Sequence, residues 1–332
     1  MVVLNSMHAP ISSLEWKRLA DLPDAEGFAG SYAGVSNGAL IVGGGANFPE
    51  RPLWEGGVKR WTDRLFYMLP KSSGWRDATP LPKPMGYGAG VNLPEGFMII
   101  GGCNMCGSFA DCYLLSYADE DVTCRPLAPL PVTLTGHAAA VMGGKVYVTG
   151  GSLCPGEQDA ENRLWIYDPA ADAWSEGPAL PGRGRFLHQM ATVGSTIYVL
   201  GGIGLKEGDE GRMVRDMLTE AWSYGEATGW RRLAYLPHFC AAAPTPAPVI
   251  DGRIYLLGGD DASVTGFTPA NHPGFHNQSL CYNPATNEWA DAGSIAAARA
   301  VLPCTIWEGM AVIVNGEQRP GKRSPQVWGA RL

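Results

Sequence analysis

A short apolar run that stops at glycine recurs six times along the chain. Each run is rich in Val, Ile and Leu and ends in Gly-Gly or, in the last copy, Asn-Gly. The copies are 39–44 (ALIVGG), 97–102 (FMIIGG), 146–151 (VYVTGG), 197–202 (IYVLGG), 254–259 (IYLLGG) and 311–316 (AVIVNG). Such a run predicts a strand buried on both faces, ending where the backbone adopts positive φ or passes close to another chain segment.

The spacing of these runs indicates a repeat architecture. Successive starts are 58, 49, 51, 57 and 57 residues apart, and a regular period of this size is typical of supersecondary units packed in an array. In four units a Tyr and then a Trp follow, as at Tyr167 and Trp174, and Asp168-Pro169 marks a turn between those two. The pattern therefore predicts several short strands in each unit.

The two ends of the chain supply parts of one unit. The chain opens with Trp16 and Leu22-Pro23, which look like the tail of a unit whose start is missing. Counted from the last run through both termini, this unit has a length similar to that of the others. We therefore predict that a strand in 325–332 pairs with a strand at about 14–19, which would remove the open edge of a circular array.

Units that combine Gly-Gly, Tyr and Trp in this way resemble kelch repeats, and the resemblance covers almost the whole chain. It implies an all-β fold, a single six-bladed β-propeller over residues 1–332 whose last blade is closed by strands from both termini. The best helical candidate is 207–221, which lies in a long connection.

One rim of such a propeller should carry the functional loops. In an up-and-down blade, the connections after Gly-Gly and those between blades leave from the same rim. The long connections, 45–63, 203–221, 260–279 and 317–324, belong to that set. The candidate residues at this mouth are Asn47, Glu50, Arg51, Trp54, Glu55, Lys59, Arg60, Arg183, Arg185, His188, Glu207, Arg212, Arg215, Asp260, His272, His276, Arg299, Glu317, Arg319 and Arg323.

Several loop sequences resemble those of the N-acetylneuraminate epimerases, a kelch-repeat family of sialic acid mutarotases. They are 27–30 (GFAG), 36–41 (SNGALI), 44–48 (GGANF), 54–57 (WEGG), 272–275 (HPGF) and 315–323 (NGEQRPGKR). The last motif stands at the C-terminus and the first at the N-terminus, so the chain resembles a cyclically permuted branch of the family. The resemblance implies interconversion of the α and β anomers of N-acetylneuraminate, without a cofactor.

The resemblance also implies site residues. Glu317 and Arg323 match the proposed catalytic pair of the family, and we expect Glu317 to act as general base or acid while Arg323 holds the substrate carboxylate or stabilises charge. The segment is stiffened by Pro320. The residues expected to contact the sugar are Arg319, Asn47, Trp54, Glu55, Arg185, His188 and His272. No metal site is expected.

Composition narrows the partners and the compartment. A net charge of −7 argues against nucleic acid or an anionic membrane as the main partner. No apolar run reaches the length of a membrane span. The N-terminus lacks the pattern of a signal peptide, and the eight cysteines suit a buried core better than a disulfide framework, so we expect a cytoplasmic protein, or a periplasmic one if an export signal was removed. Whether Cys103 and Cys106 form a pair stays open.

Three other functions fit the same fold. A non-catalytic propeller would bind a protein or a carbohydrate, and an oxidase of the galactose oxidase type would need Tyr and His ligands for copper. A glycosidase would need two carboxylates about 5–9 Å apart. In that case Glu317 would pair with another mouth carboxylate, among which are Glu50, Glu55, Glu207 and Asp260.

Overall fold

The computed structural model describes residues 14–156 and 158–331. In this part of the chain, six four-stranded antiparallel sheets form the blades of a propeller, as the repeat predicts. The first strand of each blade lies innermost, and the innermost strands of most neighbouring blades contact one another around the channel. Each Gly-Gly run forms the second strand; in blade 1 its residues Leu40, Ile41 and Val42 are fully buried.

The blades follow the chain in order. Blade 1 consists of Tyr32–Ser36, Ala39–Gly43, Leu65–Met68 and Arg76–Ala78. Blade 2 consists of Ala89–Leu93, Gly96–Asn104, Gly107–Ala118 and Asp121–Leu127. Blade 3 consists of Ala138–Met142, Lys145–Thr149, Leu164–Asp168 and Ala173–Gly177. Blade 4 consists of Gln189–Val193, Thr196–Leu200, Ala221–Gly225 and Gly229–Arg232. Blade 5 consists of Val249–Ile250, Arg253–Leu257, Gln278–Asn283 and Glu288–Ser294.

Blade 6 is built from both ends of the chain. Its strands are Cys304–Trp307, Met310–Val314, Val327–Arg331 and, outermost, Glu15–Arg18. The last two run antiparallel with Glu15 opposite Arg331 and Arg18 opposite Trp328. The predicted closure is therefore confirmed, and the first and last described strands hold each other in place.

Three additional hairpins rise from the rim that carries the long connections. They pair Ala46–Asn47 with Arg60–Trp61, Ile203–Glu207 with Met213–Met217, and Glu317–Arg319 with Lys322–Arg323. Two single 3₁₀ turns, Leu53–Glu55 and Asp209–Gly211, lie inside the first two hairpins. No helical segment within 14–156 and 158–331 is long and apolar enough to cross a membrane.

The helix expected at 207–221 was wrong, because this stretch forms most of the second hairpin and the start of a blade 4 strand. Glycines at 208 and 211 disfavour a helix. Gly211 adopts a φ of 73° at the turn. In the hairpin, Met217 lies opposite Ile203, whereas Met213 and Val214 lie opposite Glu207 and Lys206 and are exposed.

A closed ring of six backbone hydrogen bonds encircles the channel just below this rim. Each connection between blades contributes one N–H and one C=O, with N···O distances of 2.7–2.9 Å. The donors, in order around the ring, are Gly30, Tyr87, Gly136, Leu187, Ala242 and Val301. All six have φ between 53° and 66°, a conformation that costs about 1–2 kcal/mol at each of the four non-glycine positions. The ring fixes the inter-blade loops that line the mouth.

Candidate active site

A cavity of about 440 Å³ opens on the rim with the long loops, a volume in the usual range for small-molecule sites. Loops of blades 1, 2, 3, 4 and 6 contribute to its wall, together with inter-blade residues of the backbone ring. Its described lining residues are Phe48, Leu53, Lys59, Trp61, Tyr87, Cys103, Thr135, Gly136, Ser152, Cys154, Pro155, Gly156, Phe186, Leu187, Arg215, Val301, Glu317, Pro320, Gly321 and Arg323.

Glu317 and Arg323 form an ion pair on this wall. They lie opposite each other in the short hairpin of blade 6, and Arg323 Nη1 donates a hydrogen bond to Glu317 Oε1. The N–H of Gly321 donates to the same oxygen at 2.8 Å. The Arg323 and Glu317 side chains are 5% and 16% exposed. The hairpin therefore holds a nearly buried carboxylate and guanidinium at the edge of the cavity.

The two loops that bear the strongest sequence motifs meet at this pair. Arg323 Nε donates to the carbonyl of Ala46 at 3.3 Å, and its guanidinium carbon lies 5.2 Å from the ring centroid of Phe48. Gly27 packs against the same hairpin so closely that a Cβ there would lie 2.2 Å from the carbonyl carbon of Ser324. Segments almost 300 residues apart in sequence thus fix the orientation of Arg323.

In this ion pair, one carboxylate oxygen of Glu317 and one guanidinium nitrogen of Arg323 make no hydrogen bond to the described residues. Both hydrogen bonds to Glu317 fall on Oε1, so Oε2 has no partner among residues 14–156 and 158–331. Likewise, Arg323 uses Nη1 and Nε, and Nη2 has no partner in the same residues. A ligand in the cavity can therefore meet a proton-accepting carboxylate oxygen beside a guanidinium N–H that stabilises negative charge.

The cavity is positive although the chain is acidic. In the described lining, Glu317 is the single carboxylate, whereas Lys59, Arg215 and Arg323 are cations. Lys59 Nζ lies 4.7 Å from the ring centroid of Trp61 and 4.0 Å from that of Tyr87. This arrangement favours an anionic ligand with an apolar face.

Comparisons with known proteins agree with the motifs. The family model for N-acetylneuraminate epimerase matches residues 4–124, and the kelch motif matches residues 133–181. An N-acetylneuraminate epimerase from Haemophilus influenzae (strain PittEE) is 30% identical over 224 residues, which are 60% of this chain and 57% of the relative. The chain is thus similar to the N-acetylneuraminate epimerases over part of its length and carries a kelch motif.

Two further relatives set the range of the similarity. The N-acetylneuraminate epimerase of Salmonella arizonae is 34% identical over 109 residues, 28% of either chain. The human kelch repeat and BTB domain-containing protein 12 is 33% identical over 185 residues, 52% of this chain and 28% of that protein. The chain thus matches a little over half the length of the Haemophilus epimerase and less of the other two relatives.

Among solved structures, the one titled "Structure of YjhT" superimposes with a TM-score of 0.67. The match covers 93% of this chain and 96% of that chain at 17% identity. An agreement of this extent at so low an identity supports the propeller fold.

In the present chain, several residues expected to contact the sugar lie outside the cavity. Arg319 points to the outer side of its hairpin, where Nη1 donates to the Ala270 carbonyl at 3.0 Å and the guanidinium lies 5.0 Å from the Trp54 ring centroid. Trp54 and Glu55 belong to the 3₁₀ turn of the blade 1 hairpin, and Glu55 is exposed. None of these three residues lines the cavity.

Asn47 and His272 are buried and hold loops in place. The side-chain amide of Asn47 donates to Asp24 Oδ1 at 3.4 Å. His272 Nδ1 accepts a hydrogen bond from the backbone of Gly274 at 3.1 Å. Neither residue lines the cavity.

Arg185 is fully buried between blade strands. It donates to the Gly201 carbonyl and to Glu220 Oε2, both at 3.0 Å, and burial lowers its pKa to about 10. Arg299 repeats the arrangement in blade 6, where it donates to the carbonyls of Asn315 and Gln326. The repetition indicates a structural role for the buried arginines.

His188 lies in the channel below the backbone ring. It lines a separate cavity of about 50 Å³ together with His137. Burial lowers the pKa of His188 well below its usual value and that of His137 to about 4. The described residues offer no hydrogen-bond partner to either ring nitrogen of His188 or to Nδ1 of His137. These histidines are neutral at physiological pH and lie beneath the mouth.

The cysteines are all unpaired in the described structure, so Cys103 and Cys106 form no disulfide. Cys103 and Cys154 line the main cavity, whereas Cys106 is exposed outside it. Burial raises the pKa of the Cys103 thiol. Residues 14–156 and 158–331 hold no group of three or more His, Cys, Asp or Glu side chains placed to bind a metal ion.

Lys59, Trp61 and Tyr87 line the cavity but are not among the seven residues expected from the sequence to contact the sugar. Alternation in Val58-Lys59-Arg60-Trp61 could have pointed to the first two, because residues two apart share a face of a strand. Tyr87 reaches the cavity through the backbone ring, which no local pattern reveals.

Proposed function

We propose that the protein interconverts the α and β anomers of N-acetylneuraminate at the Glu317–Arg323 pair. The observation that carries the proposal is the position of this pair on the wall of a positive cavity of about 440 Å³. The curated relatives named N-acetylneuraminate epimerase support the reaction and the substrate.

The chemistry needs one carboxylate and one stabilising cation. Glu317 Oε2 takes the proton of the anomeric hydroxyl, the bond between C2 and the ring oxygen breaks, and the sugar opens to a ketone. The ring oxygen and the anomeric oxygen are bonded to the same carbon, so Glu317 can return its proton to the ring oxygen. Rotation about C2–C3 presents the other face of the ketone, and the reverse steps close the ring.

Arg323 has a distinct part in this scheme. Its guanidinium stabilises the negative charge that develops on the ring oxygen as the bond breaks. Paired acid–base assistance contributes about 10²–10⁴-fold to a rate. That acceleration suffices for a reaction that also proceeds in plain buffer.

The lining of the cavity favours this reaction over glycoside hydrolysis. A glycosidase places two carboxylates on opposite sides of the scissile bond. In the described wall Glu317 is the one carboxylate, because Glu50, Glu55, Glu207 and Asp260 lie outside the lining. The cavity also differs from a flat binding platform, since it holds a nearly buried ion pair in a concave site.

The test follows the two anomers directly. A sialidase releases N-acetylneuraminate as the α anomer, and proton NMR then records its conversion to the β anomer with and without the protein. Conversion faster than in buffer supports the proposal. A folded protein that leaves the conversion at the buffer rate contradicts it.

A further inference from the structure

We propose that Lys59 is the anchor for the carboxylate of the sugar acid, so that the cavity selects anionic over neutral reducing sugars. The inference rests on the proposed function and assigns the substrate charge to a residue outside the catalytic pair.

The hydrogen bonds that Arg323 already makes indicate that another cation binds the substrate carboxylate. Arg323 already donates to Glu317 Oε1 and to the Ala46 carbonyl, and Phe48 covers its guanidinium. In the proposed reaction its remaining Nη2 faces the ring oxygen. The substrate carboxylate is bonded to the anomeric carbon and therefore lies near Glu317 in any productive pose, so a second cation beside it would reduce the repulsion between the two negative charges.

Lys59 has the surroundings of an anion anchor. Its ammonium group lies over the rings of Trp61 and Tyr87, both of which line the cavity. Lys59 is half-buried, and no carboxylate of residues 14–156 and 158–331 pairs with it. The two rings restrict the side chain, so little conformational entropy is lost when an anion binds.

Lys83 shows what the same contact looks like in a structural role. Its Nζ lies 4.5 Å from the Phe109 ring centroid, much as Lys59 lies over its two rings. However, Lys83 also pairs with Asp111 at 2.9 Å and does not line the main cavity. Lys83 thus has the Asp111 carboxylate as its partner, whereas Lys59 lines the cavity and pairs with no carboxylate of the described residues.

The geometry also orients the sugar. Lys59 lies on the blade 1 hairpin and Glu317 on the blade 6 hairpin, and these two blades are neighbours. The hairpins touch, since a Cβ on Gly321 would come within 2.7 Å of Leu53 Cβ. A sugar whose carboxylate meets Lys59 can therefore present its anomeric carbon to Glu317, with Trp61 beside an apolar face of the ring.

The experiment compares N-acetylneuraminate with its methyl ester, a reducing sugar of nearly the same shape without the charge. NMR exchange rates give kcat and KM for anomer exchange of the acid and of the ester. They are measured with wild type, Lys59→Gln, Lys59→Arg and the matched control Lys83→Gln. Loss of a charge-assisted hydrogen bond should raise KM for the acid about 10- to 100-fold in Lys59→Gln. The kcat for the acid and both constants for the ester should change little.

The controls separate charge from shape. Lys59→Arg should recover part of the affinity for the acid, and Lys83→Gln should behave as wild type towards both compounds. An unchanged KM for the acid in Lys59→Gln overturns the inference, as does an equal rise of KM for acid and ester.

Calorimetric binding distinguishes this inference from the proposed function. A wild-type protein that prefers the acid to the ester without accelerating anomer exchange contradicts the proposed function. Loss of that preference in Lys59→Gln would then support the role of Lys59, whereas an unchanged preference would overturn it. A folded wild-type protein that binds neither compound contradicts both proposals.

Discussion

Arg323 donates a hydrogen bond to Glu317 Oε1 across a hairpin of two very short strands. A backbone N–H from Gly321 and a backbone carbonyl from Ala46 hold the two side chains from either side. Because these contacts come from the protein alone, the proposed acid–base group is in position before a ligand arrives. Such preorganisation reduces the free energy spent on orienting groups during the reaction.

Replacing Arg323 with Lys should impair the chemical step. A lysine carries the charge but lacks the fork that reaches Glu317, the Ala46 carbonyl and a substrate oxygen together. We expect kcat for anomer exchange to fall about 10²-fold, in the range seen for loss of one stabilising donor. NMR exchange kinetics measure the effect.

Arg319→Lys is the matched control for this change. Arg319 lies on the same hairpin but contacts Ala270 and Trp54 outside the cavity. It should keep kcat within a few-fold of wild type. Equal losses in the two variants would contradict the division of roles between the two arginines.

Arg185 should be needed for stability and not for activity. Arg185→Met removes the buried partner of Glu220 and of the Gly201 carbonyl. Breaking one side of a buried pair costs about 3–5 kcal/mol of the free energy of unfolding, which urea denaturation measures. The neighbouring Arg183 is 48% exposed in its pair with Asp216, so Arg183→Met should cost at most about 1 kcal/mol.

Activity at a temperature where Arg185→Met stays folded decides between the two roles. We expect its KM for N-acetylneuraminate to equal that of wild type. A stable Arg185→Met protein with a strongly raised KM would show that Arg185 contacts the sugar.

His137 and His188 should make the fold sensitive to acid. Burial lowers the pKa of His137 to about 4 and that of His188 well below its usual value. An unfolded His has a pKa of about 6.5, so between these values the unfolded state binds more protons than the folded state. The stability contribution is therefore complete above about pH 6.5 and decreases as the pH falls towards 4.

Urea unfolding between pH 7.5 and pH 5 measures this dependence. The loss from His137 alone reaches about 2 kcal/mol at pH 5. His137→Gln should show a smaller decline with pH than wild type, whatever its stability at pH 7.5. Parallel curves for the two proteins would contradict the role of His137.

Cys154 should report on occupancy of the cavity. Cys154 and Cys106 are both exposed, but only Cys154 lines the cavity. A thiol reagent should modify both residues in the free protein. Saturating N-acetylneuraminate should slow the modification of Cys154 about 10-fold or more by occlusion, while Cys106 reacts as before. Mass spectrometry of labelled peptides follows each site, and equal rates with and without sugar would place the ligand elsewhere.

The repeat made the fold predictable because its signals are local. A short β-branched run followed by glycines predicts a strand such as Ala39–Gly43. The same pattern occurs in five other runs. The segment at 207–221 forms no helix, since Gly208 and Gly211 disfavour one and Gly211 takes a φ of 73° at the hairpin turn. Its residues 213–217 instead pair as a strand with Ile203–Glu207.

The geometry of the candidate site was predictable only where it is local. Glu317 and Arg323 lie six residues apart, so one short hairpin brings them together. Tyr87, by contrast, reaches the cavity through packing between blades, which no sequence window contains. Arg185 has the charge of a mouth residue, yet the Glu220 side chain and backbone carbonyls bury it inside the fold.

The most direct measurement is the NMR rate of exchange between the anomers of N-acetylneuraminate in the presence of wild type, Glu317→Gln and Glu55→Gln. Glu55 is an exposed carboxylate outside the cavity, so Glu55→Gln should accelerate exchange as wild type does. Glu317→Gln cannot accept the anomeric proton and should lose about 10²-fold or more of the acceleration. A folded Glu317→Gln protein with the full wild-type rate would contradict the account.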